Sequence, residues 1–124
     1  MDKRRYVIEV LSKKYPMTFS IIPHEVRPIA DDIEVQIFKD LGTVPRPFRK
    51  GIYSAVFWYR SWPTYLISLI TAYGKLDLNG HIIYRITLSE KKQARSALIQ
   101  RGLWTPRLAK LYRSKIGALD ATNR

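Results

Sequence analysis

The sequence predicts an α/β fold, mostly helical, in which a single domain carries one small β-hairpin, and three observations predict it. Apolar residues recur at three- and four-residue spacing through most of the chain, the period of helices with one buried face. One stretch departs from that period: Leu76-Asp77-Leu78 and residues 81–86 flank Asn79-Gly80, the dipeptide that best tolerates the positive φ angles of a two-residue hairpin turn. Finally, 124 residues with 46% hydrophobic content and no low-complexity tract are enough for one domain with a real core and too few for two domains.

Each element follows in order. Residues 2–14 place Tyr6, Val7, Val10 and Leu11 on one stripe, and Pro16 ends the run. From Tyr15 to Pro28, three prolines with Met17, Phe19, Ile21 and Ile22 predict an ordered, irregular connection that tucks apolar groups into the core. Asp31 or Asp32 is placed to cap a second helix over Ile33 to Leu41, which Gly42 stops. After Pro45 and Pro47, a third, central helix keeps Phe48, Ile52, Ala55, Val56 and Tyr59 in register. Ser61 is placed to cap a fourth, since Pro63 is tolerated in a first turn whose N–H groups lack helical partners. Beyond the hairpin, Thr87-Leu88-Ser89-Glu90 has capping-box spacing and opens a helix through Ala94, Leu98 and Ile99 that Gly102 closes. Thr105-Pro106 opens a last helix to about Ile116, with Gly117 to Arg124 expected to fray.

Charge bounds the partner. The formal net charge is +12, which favours a polyanion or an anionic membrane surface over a small neutral ligand. Residues 91–124 hold nine Lys/Arg against one Asp, while residues 1–90 hold thirteen against nine acids. The domain is accordingly expected over residues 1–102, with 103–124 as a basic C-terminal helix and tail. The stretch from Glu25 to Asp40 is acidic, with Glu25, Asp31, Asp32, Glu34 and Asp40 against Arg27 and Lys39, and is expected to face away from nucleic acid. There is no cysteine, so disulfide scaffolds, thiolate zinc sites and cysteine nucleophiles are excluded together. Met1-Asp2-Lys3-Arg4-Arg5 leads into an amphipathic segment containing Glu9 rather than an unbroken apolar stretch, so no export signal is expected. The longest apolar run, Tyr65 to Tyr73, is about half of the roughly 20 residues that span a bilayer. A cytoplasmic, monomeric protein with no membrane partner is the expectation.

Catalytic constellations are thin. His24 and His81 are the only histidines, neither has metalloprotease spacing, and no glycine-rich phosphate loop is present. Asp31-Asp32 reads as a helix cap rather than a metal pair, and Asp77 as architectural. No enzyme, no cofactor, no metal and no small-molecule substrate are expected.

Several blocks in order carry more information: Tyr15-Pro16 to Phe19, Arg27-Pro28-Ile29 ahead of Ile33, Ser54-Ala55-Val56, Tyr59-Arg60-Ser61 with Tyr65-Leu66, Leu76-Asp77-Leu78-Asn79-Gly80, and the Thr87 cap. Together they resemble the bacterial ProQ/FinO RNA-chaperone domain over roughly residues 5–101. That resemblance implies an RNA-binding protein that takes structured small regulatory RNAs by an intrinsic-terminator hairpin with a single-stranded 3′ uridine tail, stabilises them and assists their pairing with targets. It implies no catalysis. Residue by residue, it implies RNA contacts at Arg27, Arg49, Lys75 and Tyr65. The sequence departs from the family pattern at Ala30, where a Lys is usual, at Asp32, where a Gly is usual, and at Tyr53 and Phe57, where arginines are usual on the third helix.

Physical chemistry points to the same surface. Arg46, Arg49, Lys50 and Arg60 lie in a stretch, 45–63, without one acid, whereas a merely solvated face mixes signs. An exposed helix start at Ser61 to Tyr65 offers unpaired N–H groups to a phosphate or a terminal ribose, beside Arg60 and Lys75. Tyr65 can hydrogen-bond and stack on a base, or be a core aromatic with a satisfied hydroxyl. Tyr53, Trp62 and Thr64 are further candidates, as are Arg107, Lys110 and Arg113 on the last helix, which serve equally as a solvated face above Leu108, Leu111 and Tyr112. Two other classes remain: a DNA-binding regulator using the third and fourth helices, for which Trp62-Pro63 and apolar residues 65–70 make a poor recognition helix, and a basic module docking on an acidic partner or a membrane surface.

Overall fold

The structure is a computed structural model that describes residues 2–122, with side chains to residue 119. Its elements are α1 (Lys3–Lys14), α2 (Ile33–Leu41), α3 (Arg46–Tyr59), α4 (Pro63–Thr71), β1 (Gly74–Leu76), β2 (Ile82–Arg85), α5 (Leu88–Gln100) and α6 (Pro106–Thr122), with a single 3₁₀ turn over Pro23–Glu25. Helices dominate and one antiparallel hairpin supplies the sheet, as the sequence predicts.

Apolar side chains gather in two clusters that α4 joins. The first unites Ile8 and Leu11 of α1, Phe19, Ile29, Ile33 and Ile37, the α3 stripe Ile52, Ala55, Val56 and Tyr59, and Tyr65 of α4. The second unites Ile70 of α4 with Ala94 and Leu98 of α5 and Tyr112 of α6. Tyr65 belongs to the first cluster and Ile70 to the second, and α4 packs chiefly against α5 and α6.

Several local expectations are corrected. On α1 the buried residues are Ile8 and Leu11, while Tyr6 and Val10 are exposed; docking on α3 sets the buried face, and near-equivalent apolar positions around the helix leave the sequence undecided. Phe48 begins the α3 stripe but is exposed, one turn beyond the buried packing. In the irregular connection Phe19 is buried, with Tyr15 and Val26, but Met17, Ile21 and Ile22 are exposed. Asp32 is the residue before α2 but its carboxylate makes no cap; it accepts from the Gln36 Nε2 at 3.1 Å instead. Ser61 is not the α4 cap either: its hydroxyl donates to the Trp58 carbonyl at 2.6 Å, and Trp62 occupies the cap position without a side-chain hydrogen bond. The last helix continues past Ile116 to Thr122, so the fraying expected from Gly117 does not begin there, and residues 123–124 lie outside those described.

The hairpin turn is longer than Asn79-Gly80 predicts. Of the two turn residues Gly80 has a positive φ, +80°, and Asn79 does not, which excludes the two-residue turn that requires positive φ at both positions. The chain instead turns over Asp77–Gly80, with the Gly80 N–H on the Asp77 carbonyl at 3.1 Å and the Asp77 N–H on the His81 carbonyl at 2.9 Å. The Asp77 carboxylate accepts from the Asn79 and His81 N–H groups, each at 2.9 Å, so it shapes the turn. The other edge of β1 is closed too: the Leu76 N–H donates to the Pro28 carbonyl and the Ala30 N–H to the Leu76 carbonyl, at 3.0 and 2.9 Å. The Thr87–Glu90 capping box is present as predicted.

Candidate nucleic-acid interface

The 28–31 segment that pairs with β1 also gathers the polar residues of α4 and its approach. The buried Tyr65 hydroxyl accepts from the Ile29 N–H at 3.2 Å, and burial pushes its phenol pKa up. Arg60 donates to the Glu34 carboxylate and to the Ala30 carbonyl, both at 2.8 Å. The Lys75 side chain, 4% exposed, pairs with Asp31 at 2.7 Å and also with Glu90. Burial works against the Lys75 charge, and its hydrogen bonds to Asp31 and Glu90 outweigh burial, raising its pKa. Two cations thus face three carboxylates.

Above that network the α3–α4 turn is tight. The Ser61 carbonyl accepts from Arg101 at 2.7 Å, while the Trp62 ring packs edge-on against Trp58 and Tyr59. With Pro63 at its first position and no side-chain cap, α4 presents its first N–H groups at a partly exposed start where Thr64 also sits.

The start of α3 is built differently. Arg46, Arg49 and Lys50 are exposed and surround an open pocket of about 280 Å³, completed by Phe38 and Tyr53. The two rings meet edge-on with centroids 5.4 Å apart. Three- and four-residue spacing puts the cations on one face, and no described carboxylate pairs with any of them within 4.0 Å. Phe57, on the same helix, is 78% exposed.

This architecture has a solved counterpart. It matches the NMR solution structure of a ProQ homolog from Legionella pneumophila with a TM-score of 0.63 and 23% sequence identity, over 85% of this chain and 87% of that one. The chain has a ProQ-like fold. No protein-family model and no curated protein matches it.

Within the ProQ-like fold, the predicted residues divide into three groups. Arg60, Tyr65 and Lys75 converge on residues 29–31 and are already engaged. Arg49, Lys50 and Tyr53 line the α3 pocket, with Ser61, Trp62 and Thr64 at the start of α4. Arg27 is exposed on the irregular connection, and Arg107, Lys110 and Arg113 are exposed along α6. Arg46, which the acid-free stretch 45–63 marks in the sequence, joins them in the pocket, whereas the sequence does not mark Phe38, whose helical period reads as core. Ala30 is fully buried with its carbonyl on Arg60, so a lysine there would need this segment to move. Among the described residues, no group of three or more potential ligands is arranged to hold a metal ion, and no helix is long and apolar enough to cross a membrane.

Proposed function

We propose that this chain is an RNA-binding protein acting as an RNA chaperone on structured small regulatory RNAs. The observation that carries the proposal is the α3 pocket, where three exposed cations without described carboxylate partners surround two aromatic rings on a ProQ-like fold. Lys and Arg displace counterions from a phosphate chain and provide sequence-tolerant, salt-dependent affinity, while aromatic rings accept unstacked bases.

The proposed ligand is an intrinsic-terminator hairpin with its 3′ uridine tail. Arg46, Arg49 and Lys50 follow the phosphates, and the uncapped start of α4 at Ser61, Trp62 and Thr64 receives the free 3′ end, since helix N–H groups and the positive end of the helix dipole favour anions. Arg27, Arg107, Lys110 and Arg113 add long-range attraction. Tyr65, Arg60 and Lys75 support the site by holding residues 29–31, and reach RNA only where that segment yields. Bound this way, a small RNA is protected and presented for pairing; the protein works by binding, without catalysis, as a cytoplasmic monomer. A helix-turn-helix reading is disfavoured because α4 packs against α5 and α6 and has Tyr65, Ser68 and Ile70 buried.

The test is binding to a GC-rich hairpin ending in a uridine tail with a free 3′-OH, beside the same hairpin with a 3′-phosphate, a blunt hairpin and a matched DNA duplex. Preference for the free-ended tail is expected. Equal binding to all four would reduce the protein to a generic polycation and overturn the reading.

A further inference from the structure

A second cationic pocket lies at the C-terminal end of α4, and α3 contributes nothing to it. It occupies about 120 Å³ between the end of α4, β2, α5 and α6, where Tyr73, Arg85, Lys91 and Lys115 meet the apolar surface of Ala118 and Leu119. None of its described lining residues is acidic. The Arg85 guanidinium lies over the Tyr73 ring, 5.1 Å from its centroid, which orients its planar fork without neutralising it.

Lys91 forms the buried part of the lining. Its ammonium donates to the carbonyls of Leu69, Ile70 and Ala72 at 2.7, 2.9 and 3.0 Å, capping the end of α4, so all three of its protons are committed to the fold. No carboxylate of the described residues pairs with it within 4.0 Å, and the attraction of the neighbouring Glu90 offsets its charge only in part. Burial first, and the Lys115 charge second, push its pKa down to about 8. An anion in the pocket relieves this repulsion by attracting both ammonium groups, while Arg85 and Lys115 supply the hydrogen-bond donors.

We infer that the pocket between Tyr73, Arg85, Lys91 and Lys115 is a binding site for a phosphate group, distinct from the α3 surface. Its volume is well below the roughly 300 Å³ at which ligand-sized pockets begin, so it takes one anionic group rather than a whole metabolite. Arginine's fork matches phosphate geometry. The phosphate belongs either to a free phosphate or nucleotide or to a nucleic-acid strand, and a strand held here would be a second one beside any RNA on α3.

The test is an amide-resolved NMR titration of the full chain with inorganic phosphate, adenosine 5′-monophosphate and a short single-stranded oligoribonucleotide. Saturable shifts around Tyr73, Arg85 and Lys115 are expected. The exposed double substitution Arg85→Gln with Lys115→Gln should weaken them at least about tenfold, the effect of losing a charge-assisted hydrogen bond. Tighter binding of the oligoribonucleotide assigns the phosphate to a strand; binding of only the two small ligands assigns it to a free phosphate or phosphoester. No saturable shift with any ligand, or shifts indifferent to the double substitution, overturns the site. On an Arg46→Gln, Arg49→Gln, Lys50→Gln chain the phosphate-induced shifts around Tyr73, Arg85 and Lys115 should be unchanged, which separates this inference from the proposed function.

Discussion

Arg60 and Lys75 carry the same charge as Arg49 and Lys50, yet the two pairs differ in how available that charge is. Around residues 28–34, Arg60 and Lys75 meet Glu34, Asp31 and Glu90 and sit behind the chain. On α3, Arg46, Arg49 and Lys50 face solvent around Phe38 and Tyr53. A cation bound to a carboxylate releases few counterions when a phosphate arrives, whereas a solvated cation beside a phosphate does so fully. Residue identity therefore marks both regions as candidate phosphate contacts, and tertiary pairing separates a structural set from an available one.

Removing the available set has the largest expected effect. Arg46→Gln, Arg49→Gln and Lys50→Gln together should weaken binding to a terminator hairpin by about a hundredfold and flatten the slope of log K against log salt by about 2 to 3. Fluorescence anisotropy across a salt series reads both, and thermal unfolding should remain unchanged. If affinity survives, the comparison is broken.

Next is a cation whose three protons are all taken by backbone carbonyls. Lys91→Met strips the end of α4 of three hydrogen bonds from one ammonium and should cost about 2 kcal/mol in urea unfolding, because buried carbonyls lose their donors. Binding of the hairpin by the folded fraction should hardly change.

Lys75→Met should cost about 1 to 2 kcal/mol, less than a fully buried pair, since Asp31 is 75% exposed and water screens it. Lys75 has a raised pKa in the folded state. Its contribution is therefore complete below the unfolded lysine value and is lost as pH rises through the folded one. The stability gap between wild type and variant should be constant from neutral pH to about 9 and narrow above about 10.4.

The smallest effect sharpens the contrast. Asp31→Asn removes one exposed partner of Lys75 and should cost less than about 1 kcal/mol, while strengthening hairpin binding a few-fold by leaving Lys75 less neutralised. Isothermal titration beside urea unfolding measures both quantities. Unchanged affinity would place Lys75 in the architecture alone.

Legibility followed the range of the interaction. The Thr87 cap was readable because both of its partners lie within four residues. Ser61 looked equally like a cap, yet its hydroxyl turned back to Trp58 because Trp62 and Pro63 set where α4 begins. At Asn79-Gly80 the sequence marked the place of the turn but not its type, which depends on Asp77 bonding to the next N–H groups and on Thr18 donating to the Asp77 carbonyl at 2.6 Å. The α1 stripe was misread because apolar residues surround much of that helix, and only its docking against α3 selects Ile8.

Helical periodicity, breakers, caps and a large positive charge acting over short stretches of chain were sufficient to specify one mostly helical domain with a hairpin and a polyanion as the expected partner. Which cations remain available was decided only by folding. Asp31 reaches Lys75 across 44 residues and Glu34 reaches Arg60 across 26, and a charge is cancelled by whatever carboxylate packing brings within a few ångströms, a distance that sequence separation does not encode.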